Sequence, residues 1–223
     1  MQQDNPNNGS IIQEEIRAIK KSLRLSMNGV VSTLQRRQGL DYKINFGVEI
    51  PRLKDIAAGH APDRELANTL WHENIRECRM LAIFLMPEEE YPAVAEKWIA
   101  EARFTEIAGH LAMNILCKLP DAAASAMEWA GKDDTMFRYC GYLTLSHLFR
   151  KGTRLCANDE RKLFNIISRL FDESNRGIEH RCAQNALIHY VESECENGRD
   201  ITDIIDCAPD SLRATLRECF IRA

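Results

Sequence analysis

Apolar residues return every three or four positions along nearly the whole 223-residue chain, and stretches that alternate apolar with polar are almost missing. That period puts the apolar side chains of each segment on one helical stripe, so the sequence predicts an all-α protein. In "ARFTEIAGHLAMNIL", residues 102 to 116, Phe104, Ile107, Ala108, Leu111, Ala112, Ile115 and Leu116 form such a stripe. Glu106, His110 and Asn114 fall on the other side, four residues apart. The same spacing predicts helices near 11–25, 27–37, 50–58, 63–72, 74–86, 91–102, 104–118, 121–131, 134–150, 159–173, 177–196, 201–206 and 209–221. Pro51, Pro62, Pro87, Pro92, Pro120 and Pro209 lie at or near the predicted starts and breaks, where a missing N–H costs least.

Short helices in close succession imply an antiparallel array. Three segments support a repeating one: "IRECRMLAIFL", "FRYCGYLTLSHL" and "EHRCAQNALIHY" superimpose on Cys78, Cys140 and Cys182. Each has a basic residue just before the cysteine (Arg76, Arg138, Arg181) and a small residue four after it (Ala82, Thr144, Ala186). The expected architecture is a helical-hairpin solenoid, in which each hairpin buries its stripe against its neighbours and leaves a curved surface for a large partner. Residues 1–10 read as a disordered tail, and 11–223 as one repeat domain.

Composition narrows the function classes. No apolar run approaches the roughly 18 residues of a membrane span, and MQQDNPNNGS lacks the basic and apolar regions of a secretion signal, so a cytoplasmic, membrane-free protein is expected. The eight cysteines are scattered without a C-x-x-C pair and read as reduced, mostly buried small hydrophobes. His60 with His72, and His180 with His189, lack the spacing of a helical zinc site, and Gly-rich phosphate loops are absent, so neither metal nor cofactor is expected. The net charge of −4 conceals an uneven distribution. Residues 16–54 carry nine basic against two acidic side chains, 138–169 carry seven against two, and 172–210 carry three against ten. The basic runs point to a polyanion or to solvated helix faces.

Two stretches, "INFGVEIPRLKDIA" (44–57) and "LANTLWHENIRECRMLAIFLM" (66–86), resemble the N-terminal half of the AlkD-like DNA alkylation repair proteins. The shared residues are Phe46, Gly47, Val48, Ile50, Pro51, Leu53 and Ile56, then Leu66, Leu70, Trp71, Ile75, Glu77, Arg79, Leu81 and Ala82. The resemblance implies a HEAT-like solenoid whose concave face holds duplex DNA. Read physically, Gly47 suits a turn of positive φ and Pro51 the first turn of a helix, while Glu77 and Arg79 suit pairing inside the array.

The resemblance also implies a catalytic helix with a Trp-Asp-x-x-Asp pattern, whose last aspartate stabilises positive charge on the sugar as an alkylated purine leaves. The matching helix is residues 102–116: the tryptophan falls on Thr105, the first aspartate on Glu106 and the catalytic one on Gly109. A glycine cannot do that work. A second family aromatic falls on Met136, with Phe137 or Tyr139 as neighbouring candidates for an aromatic face. Expected groove-lining residues are therefore Thr105, Gly109, His110, Met136 and Tyr139. Three readings follow. The first is a monomeric DNA alkylation repair relative that binds duplex DNA with low sequence specificity, its base excision lost or altered, through Arg138, Arg150, Lys151 and Arg154, then Lys20, Lys21, Arg36 and Arg37. The second is a scaffold for a protein partner, suggested by the acidic C-terminal third. The third is an active glycosylase that uses Glu106 as its carboxylate.

Overall fold

A computed structural model describes residues 6–172 and 177–220, and every regular element among them is helical. The α-helices are α1 (Pro6–Leu25), α2 (Gly29–Arg37), α3 (Ile50–Ala58), α4 (Arg64–His72), α5 (Arg76–Leu85), α6 (Tyr91–Glu101), α7 (Thr105–Asn114), α8 (Ala122–Ala130), α9 (Thr135–Arg150), α10 (Ala157–Asp172), α11 (Ile178–Glu196), α12 (Ile201–Cys207) and α13 (Asp210–Phe220). They gather into two compact units divided after Val94, inside the stretch expected as one domain. Helix α1 begins at Pro6, within the expected tail; residues 1–5 lie outside the described residues.

In the first unit, α1 buries Ile12, Ile16, Ile19 and Leu23, spaced to form one stripe, and packs on α4. Helix α4 pairs with α5, and α3 lies against α5. The connection 43–49 is anchored by a carboxylate sealed from water. Glu77, fully buried, accepts hydrogen bonds from the backbone N–H of Phe46 (3.1 Å) and Val48 (3.3 Å) and from Arg76 Nη1 (3.1 Å). Arg76, also buried, donates to the Val48 carbonyl at 3.0 Å. Ile44 and Ile75 form a short parallel bridge beside them. Gly47 has φ +70, and a Cβ there would stand 2.2 Å from the Asn28 carbonyl oxygen, so the turn excludes any other residue. Arg79 lies over the Trp71 ring at 5.2 Å. Glu77 and Arg79, both expected to pair inside the array, therefore have structural roles.

In the second unit, α9 is the central helix, packed on α7, α8 and α11. Its contact with α8 runs backbone to backbone: a Cβ on Gly141 would meet the Ala130 amide nitrogen at 2.5 Å and the Ala126 carbonyl oxygen at 2.7 Å. Cys78, Cys140, Cys182 and the small residues Ala82, Thr144 and Ala186 are all buried, as the internal repeat requires. Elsewhere the cysteines divide: Cys117 is buried, Cys195 half-buried, and Cys156, Cys207 and Cys219 are exposed, all as free thiols.

Apart from the earlier start of α1, helix boundaries lie within two residues of those expected from the apolar spacing, with one instructive exception. The expected helix 104–118 ends at Asn114 and resumes as a 3-10 turn, Leu116–Lys118. The side chain of Asn114 donates to the His110 carbonyl at 2.7 Å and Cys117 Sγ to the Met113 carbonyl at 3.0 Å, so side chains occupy acceptors at the helix end. Replacing Glu77 with alanine would take the carboxylate from the buried Arg76 charge and from two buried N–H groups. Glu77→Ala is expected to lower unfolding free energy by about 3–5 kcal/mol in urea titrations. Lys162→Ala, which removes an exposed i,i+3 pair with Asp159, should stay within about 0.5 kcal/mol of the wild type.

Candidate functional site

Helix α7 turns Ile107, Ala108, Leu111 and Ala112 into the core, leaving Thr105 exposed and Glu106, Gly109, His110 and Asn114 half-buried. The expected division of faces therefore holds. Glu106 sits in the first turn of α7, whose N-cap, Phe104, offers no side-chain acceptor, so its carboxylate complements the positive helix end. Gly109 faces α9. A Cβ built there would lie 3.7 Å from the Tyr139 hydroxyl and 3.9 Å from Leu143 Cδ1, which are ordinary contact distances. A Cβ at 109 therefore meets no clash.

Tyr139 is half-buried, and burial, reinforced by the nearby Cys182 and Cys140 thiols, pushes its phenol up to about 12. It is a neutral hydroxyl at physiological pH and cannot stabilise cationic charge as an aspartate would. Met136 is half-buried one turn earlier on α9, near the N-terminal cap formed by Asp134. Phe137, also half-buried, lies 4.3 Å beneath Lys132 Nζ and is engaged by that cation. Lys132 in turn meets Glu96 Oε1 at 3.1 Å, where Trp129 Nε1 also donates. Hydrogen bonds from Trp129 and then Lys132 hold the Glu96 carboxyl below its usual range.

The basic candidates separate by their partners. Arg138 is mostly buried and reaches the buried Glu179 on α11 at 3.4 Å. Arg154 approaches the buried Glu194 at 3.5 Å, and Arg199 joins Glu194 (3.5 Å) to the buried Glu160 (2.6 Å), which also accepts from Tyr190 Oη at 2.9 Å. Lys20 pairs with Glu73 between α1 and α4. Arg138 and Lys20 thus serve as internal ties, whereas the Arg154 side chain stays 61% exposed beside its partner. Their partners lie 40 or more residues away, beyond the reach of any local spacing rule. Arg36 donates to the Tyr42 carbonyl at 3.1 Å but stays exposed, as do Lys21 and Arg37.

Arg150 and Lys151, at the end of α9, are exposed. Arg150 borders a cavity of about 260 Å³ with Phe149, His189, Glu192 and Glu196. His147, half-buried one turn earlier, is held below its usual pKa first by burial and then by Arg150, Lys151 and His189. His180 has a structural role: its Nε2 donates to the Leu170 carbonyl (2.7 Å) and its Nδ1 accepts from the Gly177 N–H (3.1 Å) at the start of α11.

A sequence-family model described as DNA alkylation repair enzyme matches residues 35–188, more than half of the chain. The chain belongs to that family. No curated protein matches it. Its fold is similar to a solved structure described as "A new family of proteins related to the HEAT-like repeat DNA glycosylases with affinity for branched DNA structures". The TM-score is 0.72 at 14% identity, over 91% of this chain and 92% of that one. The likeness supports the HEAT-like, all-helical fold of this alkylation repair family member.

Two outcomes follow from the ion pairs and from His147. Arg138→Ala should cost about 1–3 kcal/mol because it leaves Glu179 buried without that partner, whereas Arg150→Ala and Lys151→Ala should leave the urea midpoint essentially unchanged. His147 favours its neutral form in the fold, so its stabilising contribution is complete above the ordinary value of 6.5 and is lost as pH falls below it. Wild-type stability should therefore drop more between pH 7.5 and 5.5 than that of His147→Gln in paired urea titrations.

Proposed function

We propose that this alkylation repair family member binds DNA through exposed lysines and arginines and has lost or altered the family's base-excision chemistry. The observation that carries the reading is Gly109. By resemblance it stands where relatives have the catalytic aspartate, it carries no side chain, and it faces a neutral phenol. The fold neighbour's stated affinity for branched DNA structures supports a DNA-binding role for this chain. The binding residues are Arg150, Lys151 and the exposed Arg154, with Lys21, Arg36 and Arg37 as a second group; Arg138 and Lys20 act mainly by shaping the fold. Contacts to phosphates release counterions, so affinity falls steeply with salt and depends little on sequence.

A second reading, a scaffold for a protein partner, draws on the Glu192 and Glu196 side chains that share the Arg150 cavity and would repel phosphate. A third, an active glycosylase using Glu106, draws on its half-buried position one turn before Gly109.

Titration with duplex DNA at low and moderate salt separates these readings. Binding is expected to weaken with salt, and the Arg150→Ala/Lys151→Ala double variant should lower the logarithmic salt slope by about 2. Absence of binding at both salt concentrations would reject the proposal in favour of a protein scaffold. Incubation with methylated DNA is expected to release no alkylated purine; release that Glu106→Gln abolishes would establish the third reading instead.

A further inference from the structure

Helix α2 departs from the other helices of the first unit in burying none of its residues. Val30 and Leu34, one turn apart, are 81% and 54% exposed and line a shallow depression with Gly29, Thr33 and Arg37. Met27 and Leu25, on the approach to α2, are 62% and 80% exposed. Four large aliphatic side chains thus face solvent within ten residues.

The helix is nevertheless held firmly. Asn28 caps it by accepting from the N–H groups of Val30 and Val31, and the Asn28 N–H donates to the Phe46 carbonyl at 2.9 Å. Ser32 Oγ donates to the Asn45 carbonyl at 2.7 Å and Arg36 to that of Tyr42. Gly47 packs directly against Asn28 and Ser32. Hydrogen bonds to the 42–47 connection, rather than hydrophobic burial, hold α2 in position. An apolar edge that contributes nothing to the core yet is presented this rigidly has the character of a binding surface.

Charge indicates what it binds. From Ile16 to Leu40 the chain carries Arg17, Lys20, Lys21, Arg24, Arg36 and Arg37 and no aspartate or glutamate. Arg37 itself borders the apolar depression. Such a collar repels a second copy of itself and attracts a polyanion. Intact duplex DNA offers sugar and phosphate outside and keeps its base faces stacked. Where stacking is interrupted, at a branch point or a break, DNA presents an apolar face beside phosphates without first being unstacked. Leucine and methionine are among the aliphatic side chains that proteins wedge between base steps, and an open step spares them the unstacking cost.

We propose that the α2 edge, Met27, Val30 and Leu34 bordered by Arg37, docks on an exposed base-pair face in DNA whose stacking is interrupted. The proposal rests on the DNA-binding reading above and adds to it the DNA structure that is preferred and the residues that select it. The basic side chains supply affinity for any duplex. The aliphatic ones supply the discrimination.

The test compares the full chain with a Met27→Gln/Val30→Gln/Leu34→Gln variant, whose substitutions touch only exposed positions, on a three-way DNA junction and an intact duplex of equal length. The wild type should favour the junction, and the variant should lose about five- to tenfold of that preference while its affinity for intact duplex stays within about twofold. Lys21→Ala/Arg37→Ala, which leaves the Arg36 tie to Tyr42 in place, should weaken binding to both DNAs alike. Equal wild-type affinity for both DNAs, or an undiminished preference in the glutamine variant, would overturn the docking proposal while leaving DNA binding intact. Failure of the wild type to bind either DNA would overturn both. Sedimentation with vesicles rich in anionic lipid, or a wild-type dimer that the glutamine variant dissociates, would assign the edge to a membrane surface or to self-association and likewise overturn it.

Discussion

A carboxylate removed from water organises the first unit. Burying Glu77 is unfavourable by itself, and it is tolerable only because Arg76 and two backbone N–H groups converge on its oxygens. Those N–H groups belong to Phe46 and Val48, in a connection without helical hydrogen bonds of its own. The ion pair therefore completes the hydrogen bonding of an irregular segment that would otherwise leave buried polar groups without partners. The 43–49 connection then becomes a rigid platform, and α2 is attached to it through Asn28, Ser32 and the close contact at Gly47. A local fault at Glu77 would propagate to an exposed helix that it does not touch.

In the second unit, three acidic residues are taken out of solvent by ion pairs. Glu160, Glu179 and Glu194 are buried and engage Arg199, Arg138 and Arg154. The acidic run from 172 to 210 loses Glu179 and Glu194 to the interior but keeps Glu192, Glu196, Asp200, Asp203, Asp206 and Asp210 exposed, and of the basic run from 138 to 169 only Arg138 is withdrawn. Near the end of α9, Arg150 and Lys151 are exposed beside the imidazoles of His147 and His189, and Arg154 is exposed too although it approaches Glu194.

The helices are legible in the sequence because their signals are local. Each apolar stripe repeats within a few residues, so the spacing alone locates the helices, whereas the caps Asn28 and Asp134 fall inside the segments 27–37 and 134–150 that it marks. Gly47 and Pro51 are legible for the same reason: a turn of positive φ and a first helical turn impose narrow residue choices. The roles of Arg138 and Lys20 are not, because each is decided by a partner on a distant helix. The end of α7 is hidden from periodicity because Asn114 competes for a backbone carbonyl, which apolar spacing does not register. At the candidate site, the glycine at 109 can be read from the sequence, whereas the neighbouring Tyr139 hydroxyl requires the fold.

The attachment of α2 through backbone and cap hydrogen bonds has an evolutionary consequence. Because no residue of this helix is part of the core, the identities of Val30, Thr33, Leu34 and Arg37 are nearly decoupled from the free energy of folding. A lineage can rewrite them without first acquiring compensating stability, provided Asn28, Ser32 and Gly47 are kept. Selection acting on that edge can therefore respond to the ligand alone, and related chains are free to diverge there in what they recognise while sharing one scaffold.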